Sequence, residues 1–409
     1  MSKATRYDCL FRGLVNVWRP HQHYRRVPLG AFRTISSTIQ PSSTRPVIVL
    51  GIETSCDDTA AAIVRSDGTI LSEVVKGQQS LHEPMGGVVP TLASRGHSEQ
   101  LPGVICQALA QAQVTVDDLD AIAVTRGPGL PPCLPVGLNA AKTLAAVHGK
   151  PLIGVHHMEA HALTARMTSS LRQHPAFPFM TLLISGGHTL LLTVNGVGDY
   201  DALATTLDNA VGEAIDKTAR ALELAWIKGR RGGPGAALEQ AALNGSPERY
   251  EQLLPMPMLQ RNKSTMAFSF SGLKTAVVRL IERDNVLADP QKVSDMASAF
   301  QTACIRHIEQ KLEIALRNEI KMAGKPISAL VVSGGVASNT FFRSRLQSLA
   351  SSFDIPLVCP PPQLCTDNGA MIAWAGIERL QAGLVDDYTI TTLPKWPIES
   401  LKSHTSHQN

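Results

Sequence analysis

Three apolar runs of strand length each stop in a turn dense in glycine, hydroxyl or carboxylate groups, and that recurrence restricts what the chain can fold into. Residues 47–52 end at Glu53-Thr54-Ser55-Cys56-Asp57-Asp58-Thr59. Residues 179–184 end at Ser185-Gly186-Gly187-His188-Thr189, and residues 327–332 end at Ser333-Gly334-Gly335-Val336-Ala337-Ser338-Asn339. Short, nearly continuous apolar runs are the mark of buried strands. Helical periodicity over 92–113, 136–147, 209–224 and 295–321 separates them, which predicts an α/β protein. In α/β sheets ligands gather at the carboxyl ends of the strands, where these turns stand.

His157-Met158-Glu159-Ala160-His161 follows a fourth strand-like run, residues 152–155. Histidines four apart share one face of a helix. Two neutral imidazoles can then reach one metal ion, which still needs a ligand from elsewhere in the fold. The alternative is two polar side chains on a solvated helix face. Asp367, before an apolar helix at 370–380, is either that missing ligand or a helix cap. The 53–59 turn presents side chains to phosphate or to a metal on phosphate, or is an ordinary polar hairpin loop. The Ser-Gly-Gly turns offer backbone N–H groups to an anion or simply close hairpins. Their recurrence roughly 150 residues apart suggests a duplicated architecture.

Charge is unevenly spread. Residues 1–45 hold eight Lys or Arg and one acid, a local charge of +7 in a chain of +4, so the remainder sums to −3. An Arg-rich, acid-poor leader with Ser and Thr near its end predicts a mitochondrial transit peptide; the alternative is a basic arm for nucleic acid. A mildly acidic body must grip any polyanion through a local patch, and Lys228, Arg230, Arg231, Arg261 and Lys263 are the candidates. Seven scattered cysteines without a Cys-x-x-Cys pair argue against a disulfide framework. No apolar run reaches membrane-spanning length.

In this order, the motifs resemble the tRNA N6-adenosine threonylcarbamoyltransferase family, in its mitochondrial branch, formerly labelled O-sialoglycoprotein endopeptidase. They are the 51–59 segment, Gly127-Pro128-Gly129, the 157–161 pair and Ser185–Thr189. Gly212-Glu213-Ala214-Ile215-Asp216-Lys217-Thr218, Gly232-Gly233-Pro234, the 333–339 turn and Cys365-Thr366-Asp367-Asn368-Gly369 follow. Ala160 and His156 depart from residues common in the family, the 130–133 stretch is unusually proline-rich, and 226–231 lengthens the connection to Gly233.

The resemblance implies an actin, Hsp70 and sugar-kinase type of fold, with two related α/β halves around a nucleotide- and metal-binding cleft. It implies one divalent metal, zinc or iron, on His157, His161 and Asp367, and an adenylate pocket lined by Ile184, Ser185, Gly186, Gly187, His188, Asp216, Gly233 and Asn339. The resemblance further implies L-threonylcarbamoyl-AMP from a separate synthase as donor and adenosine 37 of ANN-decoding mitochondrial tRNA as acceptor, with ATP a further candidate ligand. A homodimer in the mitochondrial matrix is expected. From the chemistry of acyl transfer to a weakly nucleophilic amine, Glu53 and Asp57 are the candidates to orient that amine or take its proton. The expected division is 1–45 transit peptide or disordered, 46–175 first half, 176–394 second half and 395–409 tail. Three other readings compete: an ATPase or kinase of the same fold, a nucleotide-gated scaffold without catalysis, and a zinc peptidase. The peptidase needs His-Glu-x-x-His, whereas Glu159 stands about 200° around the helix from His157.

Overall fold

Two five-stranded sheets of one plan carry the chain in the computed structural model, which describes residues 45–402 apart from 169–173, 229–232, 259–264 and 323–325. The first sheet contains β1 (Ile48–Glu53), β2 (Asp58–Arg65), β3 (Ile70–Gly77), β4 (Ala121–Gly127) and β5 (Leu152–His156), ordered β3-β2-β1-β4-β5. β1, β2 and β3 form an antiparallel meander, and β4 and β5 then run parallel to β1. The second contains β6 (Phe179–Ile184), β7 (Thr189–Gly196), β8 (Asp199–Thr205), β9 (Leu330–Ser333) and β10 (Leu357–Val358). Its order from the meander edge is β8-β7-β6-β9-β10, with the same senses of pairing. Duplication is therefore real, but the two Ser-Gly-Gly turns do not mark it. They end β6 and β9, parallel neighbours in one sheet. The counterpart of β6 in the first sheet is β1, with its acidic turn.

Two helices fill the space between the sheets. The histidine helix, His157–Thr168, and the last long helix, Gly369–Gln381, share a core with Val49, Ala62 and Ala123 of the first sheet and Leu183, Leu192 and Val331 of the second. Their faces are rich in alanine, which lets backbones approach closely. The last helix lies so near β1 that a Cβ on Gly51 would fall 2.3 Å from both the Ala373 nitrogen and the Gly369 oxygen. Separate cores cover the outer faces. One holds Leu50, Ile52, Ile122 and Leu138; the other holds Phe268, Phe270, Phe300 and Leu330.

Several expectations shift. The long helix is Pro290–Met322, one turn longer at its start than periodicity suggested, because Pro290 sits comfortably in a first turn. The stretch 250–270, rich in Pro and Met and readable as irregular or as short strands, holds no strand among its described residues, only an isolated bridge at Phe268. Helices Ser271–Asp284 and Thr340–Ser352, and strand β8, had no sequence reading. β8 hides its period because Tyr200 and Ala204 are its buried residues among exposed acids and alanine.

Candidate active site

β5 runs into the histidine helix with no loop, so the helix starts at the carboxyl end of the parallel strand at the edge of the first sheet. His156 makes the junction. Its Nδ1 accepts the Met158 N–H at 3.1 Å, doing the work of an N-cap side chain, and its Nε2 donates to the Trp396 carbonyl at 2.8 Å. Burial pushes His156 down to about 3, which keeps Nδ1 free to accept.

One turn apart, the His157 and His161 rings meet edge to face at 4.8 Å. Asp367 completes the group: its Oδ1 lies 3.4 Å from His157 Nε2 and 3.2 Å from His161 Nε2. Asp367 is not the cap of the last helix. Asn368 takes that role, its side chain accepting the Met371 N–H at 2.8 Å, which leaves the aspartate free to face the histidines.

The three donor atoms lie within 4.8 Å of one another. Metal–ligand bonds of about 2.0–2.2 Å place neighbouring ligand atoms roughly 3–3.5 Å apart, and both His–Asp separations fall in that range. Two imidazoles and one carboxylate leave coordination positions open, and the Asp367 side chain is 26% exposed, so a ligand can reach it. The residues fit a divalent metal. Burial disfavours a charged His157, but the carboxylates of Asp367 and Glu53 outweigh it and raise His157 to about 10. Burial likewise opposes ionisation of Asp367, yet His157 and His161 hold it well below its usual range. This metal-free balance of charges is one that a cation would take over.

Behind His157 stands the acidic turn. Glu53, the last residue of β1, is fully buried. It accepts the Ser55 N–H at 2.5 Å and the Thr125 hydroxyl, and one oxygen lies 3.3 Å from His157 Nδ1. Burial would raise this carboxyl, but His157 keeps it below its ordinary value. The arrangement is carboxylate–histidine–ligand position, in which the carboxylate orients the ring. Asp57 is half-buried at the tip of the same turn. Ser55, whose Oγ is 3.3 Å from His157 Nδ1, and Thr125 were not singled out in the sequence. Thr125 was detectable as the hydroxyl that interrupts the apolar run of β4.

The glycine turns converge on this edge. Ser185 N–H donates to the His188 carbonyl at 2.8 Å, and the His188 N–H to Ser185 Oγ at 3.0 Å, closing a tight turn with Gly186 and Gly187 exposed. Nothing lies within 4 Å of where a Cβ would stand on either glycine, so the backbone N–H groups there are approachable. Burial, with the charges of His157 and His161, pushes His188 down to about 4. Gly334, at φ +98°, abuts Ile184 so closely that a Cβ would meet the Ile184 carbonyl at 2.5 Å. Asp216, on helix Val211–Ala221, lies beside Gly235, two residues beyond Gly233. Burial raises Asp216 to about 6, against the pull of Arg220. Asn339 is engaged locally: its Oδ1 caps helix Thr340–Ser352 and its amide donates to Gln301 at 3.2 Å.

Glu159 faces away from His157 and His161, about 200° around the helix. It is fully buried and bonded to Gly198, Tyr200 and Arg379, so it cannot serve as a peptidase base. Of the basic candidates, Lys228 is exposed, and Arg230, Arg231, Arg261 and Lys263 lie outside the described residues. No helix among the described residues is long and apolar enough to cross a membrane.

Fold and site together define an α/β protein of the actin, Hsp70 and sugar-kinase type, with a His-His-Asp set where the strands of the first sheet end. Its fold is similar to that of T. kodakarensis HypF, with a TM-score of 0.53 at 14% identity over 82% of this chain and 49% of that one. The sequence profile of the family described as tRNA N6-adenosine threonylcarbamoyltransferase matches residues 69–374. The protein of that name from Methylobacterium sp. (strain 4-46) is 50% identical over 85% of this chain and 97% of its own. The probable mitochondrial one from Arabidopsis thaliana is 43% identical over 86% of this chain and 75% of its own. The chain belongs to the tRNA N6-adenosine threonylcarbamoyltransferase family.

Proposed function

We propose that this enzyme transfers the threonylcarbamoyl group of L-threonylcarbamoyl-AMP to N6 of adenosine 37 in ANN-decoding mitochondrial tRNAs. The observation that carries the reading is the meeting of His157, His161 and Asp367, at hydrogen-bonding distance, beside the turn from Ser185 to His188. His157, His161 and Asp367 would hold a divalent metal, zinc or iron, which would supply Lewis-acid chemistry at the site. Adenylate lies along Ile184, Ser185, Gly186, Gly187 and His188, with Asp216, Gly233 and Asn339 closing its pocket. Backbone N–H groups in the glycine turn meet the phosphate, and the raised carboxyl of Asp216 suits a hydroxyl-bearing ribose.

In the reaction the adenosine amine attacks the carbamoyl carbon. A C–N bond forms, the C–O bond to phosphate breaks, and AMP leaves with the electron pair. The amine is weakly nucleophilic, so position and charge stabilisation carry the rate. Of the two carboxylates, Glu53 is occupied on both oxygens and suits holding His157; Asp57 is the one open enough to orient the amine or take its proton.

The first half, 46–175, and the second, 176–394, divide these tasks, with the last helix returning to the first sheet. Residues 1–45 direct import to the mitochondrial matrix, the chain works as a homodimer, and a separate synthase supplies the donor. Lys228 belongs to the basic surface that meets tRNA phosphates. The test is transfer of labelled threonine into an ANN-decoding tRNA by the full chain with bicarbonate, ATP and the synthase. Label with wild type and none with His157→Ala is expected. A folded, metal-loaded wild type that transfers no label would sink the reading. A fluorescent reporter fused to residues 1–45 that stays outside mitochondria would sink the assignment of location.

A further inference from the structure

We propose that Glu159 is the positioning residue of the metal-ligand set: it fixes the rotation of the histidine helix through an ion pair with Arg379 and a clamp on the second sheet. The proposal rests on the metal reading of His157, His161 and Asp367. Glu159 lies between the two histidines in sequence and about 200° around the helix from each. It therefore grips the side of the helix opposite the ligands. One oxygen accepts the Gly198 N–H at 3.0 Å and the Tyr200 hydroxyl at 3.1 Å, both from the β7–β8 hairpin of the second sheet. The other lies 3.1 Å from Arg379 Nη1. Glu159 is fully buried and the Arg379 side chain is 8% exposed.

Arg379 belongs to the helix whose N-terminus follows Asp367. From Gly369 to Arg379 the helix rises about 15 Å at 1.5 Å per residue. The last helix is thus tied to the histidine helix near both of its own ends, through Asp367 and through Arg379, while on the histidine helix both ties fall in the first turn, on opposite flanks. A helix held at one point can turn about its axis, and a rotation of 20° moves a side-chain tip roughly 2 Å at a radius of 5–6 Å. Held on its opposite flank as well, it presents both Nε2 atoms in a fixed direction. Glu159 is fully buried, so solvent does not compete for it.

Cobalt(II) titration of the metal-free full chain tests this, with the visible absorption band reporting geometry and competition against a chelator reporting affinity. The variants are Glu159→Gln, and Glu159→Gln with Arg379→Gln; the second removes the charge from both partners, so an unpaired guanidinium does not decide folding. The expected result is a loss of cobalt affinity of about tenfold or more and a changed band in protein that remains folded. Wild type that binds no cobalt overturns the metal reading itself. Wild type that binds, with variants whose urea midpoint falls while affinity and band stay as in wild type, overturns the positioning role alone. Variants indistinguishable from wild type in every readout overturn it as well.

Discussion

His161 Nε2 lies 3.2 Å from Asp367 Oδ1 across 206 residues of chain. The histidine comes from the helix after β5 and the aspartate from the turn before the last helix, and both helices are packed between the two sheets. Asp367→Ala should therefore remove bound metal without unfolding the chain, because the aspartate is partly exposed and the helix cap is Asn368. Elemental analysis of purified variant against wild type checks this, together with circular dichroism. Retention of stoichiometric metal would show that Asp367 is not a ligand.

Glu53 and Asp57 should separate in kinetics. Glu53→Gln removes the charge facing His157 and should weaken metal binding by about 10–100-fold, as losing an orienting partner does. Asp57→Asn should keep metal and lower kcat with little change in KM for tRNA. If Glu53→Gln keeps wild-type metal affinity and loses only kcat, the roles are exchanged.

Asp216 stores strain that shows as pH dependence. Its carboxyl is raised by burial to about 6 in the fold, above its ordinary 3.8. The folded state then binds a proton more tightly than the unfolded chain. Its contribution to stability is most favourable below about 3.8 and is lost as pH rises from there through 6. Asp216→Asn should raise the urea midpoint of ligand-free protein at pH 7.5 and leave it nearly unchanged at pH 4. The same variant should bind an adenylate analogue more weakly. An equal rise at both pH values would rule out the titration as its cause.

Gly51→Ala places a methyl where the last helix runs, at 2.3 Å from the Ala373 nitrogen and the Gly369 oxygen. These are backbone atoms of the helix and cannot turn away. A loss of about 3 kcal/mol or more, or failure to fold, is expected. Urea unfolding, or yield of soluble protein, measures it. Gly86→Ala is a suitable comparison, because nothing stands within 4 Å of its Cβ position and only its left-handed φ of 69° opposes the change.

Much of the site was legible because its signals are local. The spacing of His157 and His161 specifies one helix face, and the Ser185-Gly186-Gly187 turn specifies an approachable backbone. The apolar runs before them specify strands that end there. Other features were not legible, for equally physical reasons. Asp367 read equally well as a cap, and only the neighbouring Asn368, which takes that bond, releases it to the histidines. Glu53 read as a possible base, but Ser55, Thr125 and His157 occupy it from three separate segments. The two Ser-Gly-Gly turns read as a duplication, yet sheet order makes them neighbours. Sequence alone thus determined most of the strands and helices and where the glycine- and carboxylate-rich turns end them, since torsional preference and hydrophobic period act within a few residues. Tertiary structure decided which groups meet and which oxygens stay free, because those depend on packing of helices and sheets between residues far apart in the chain.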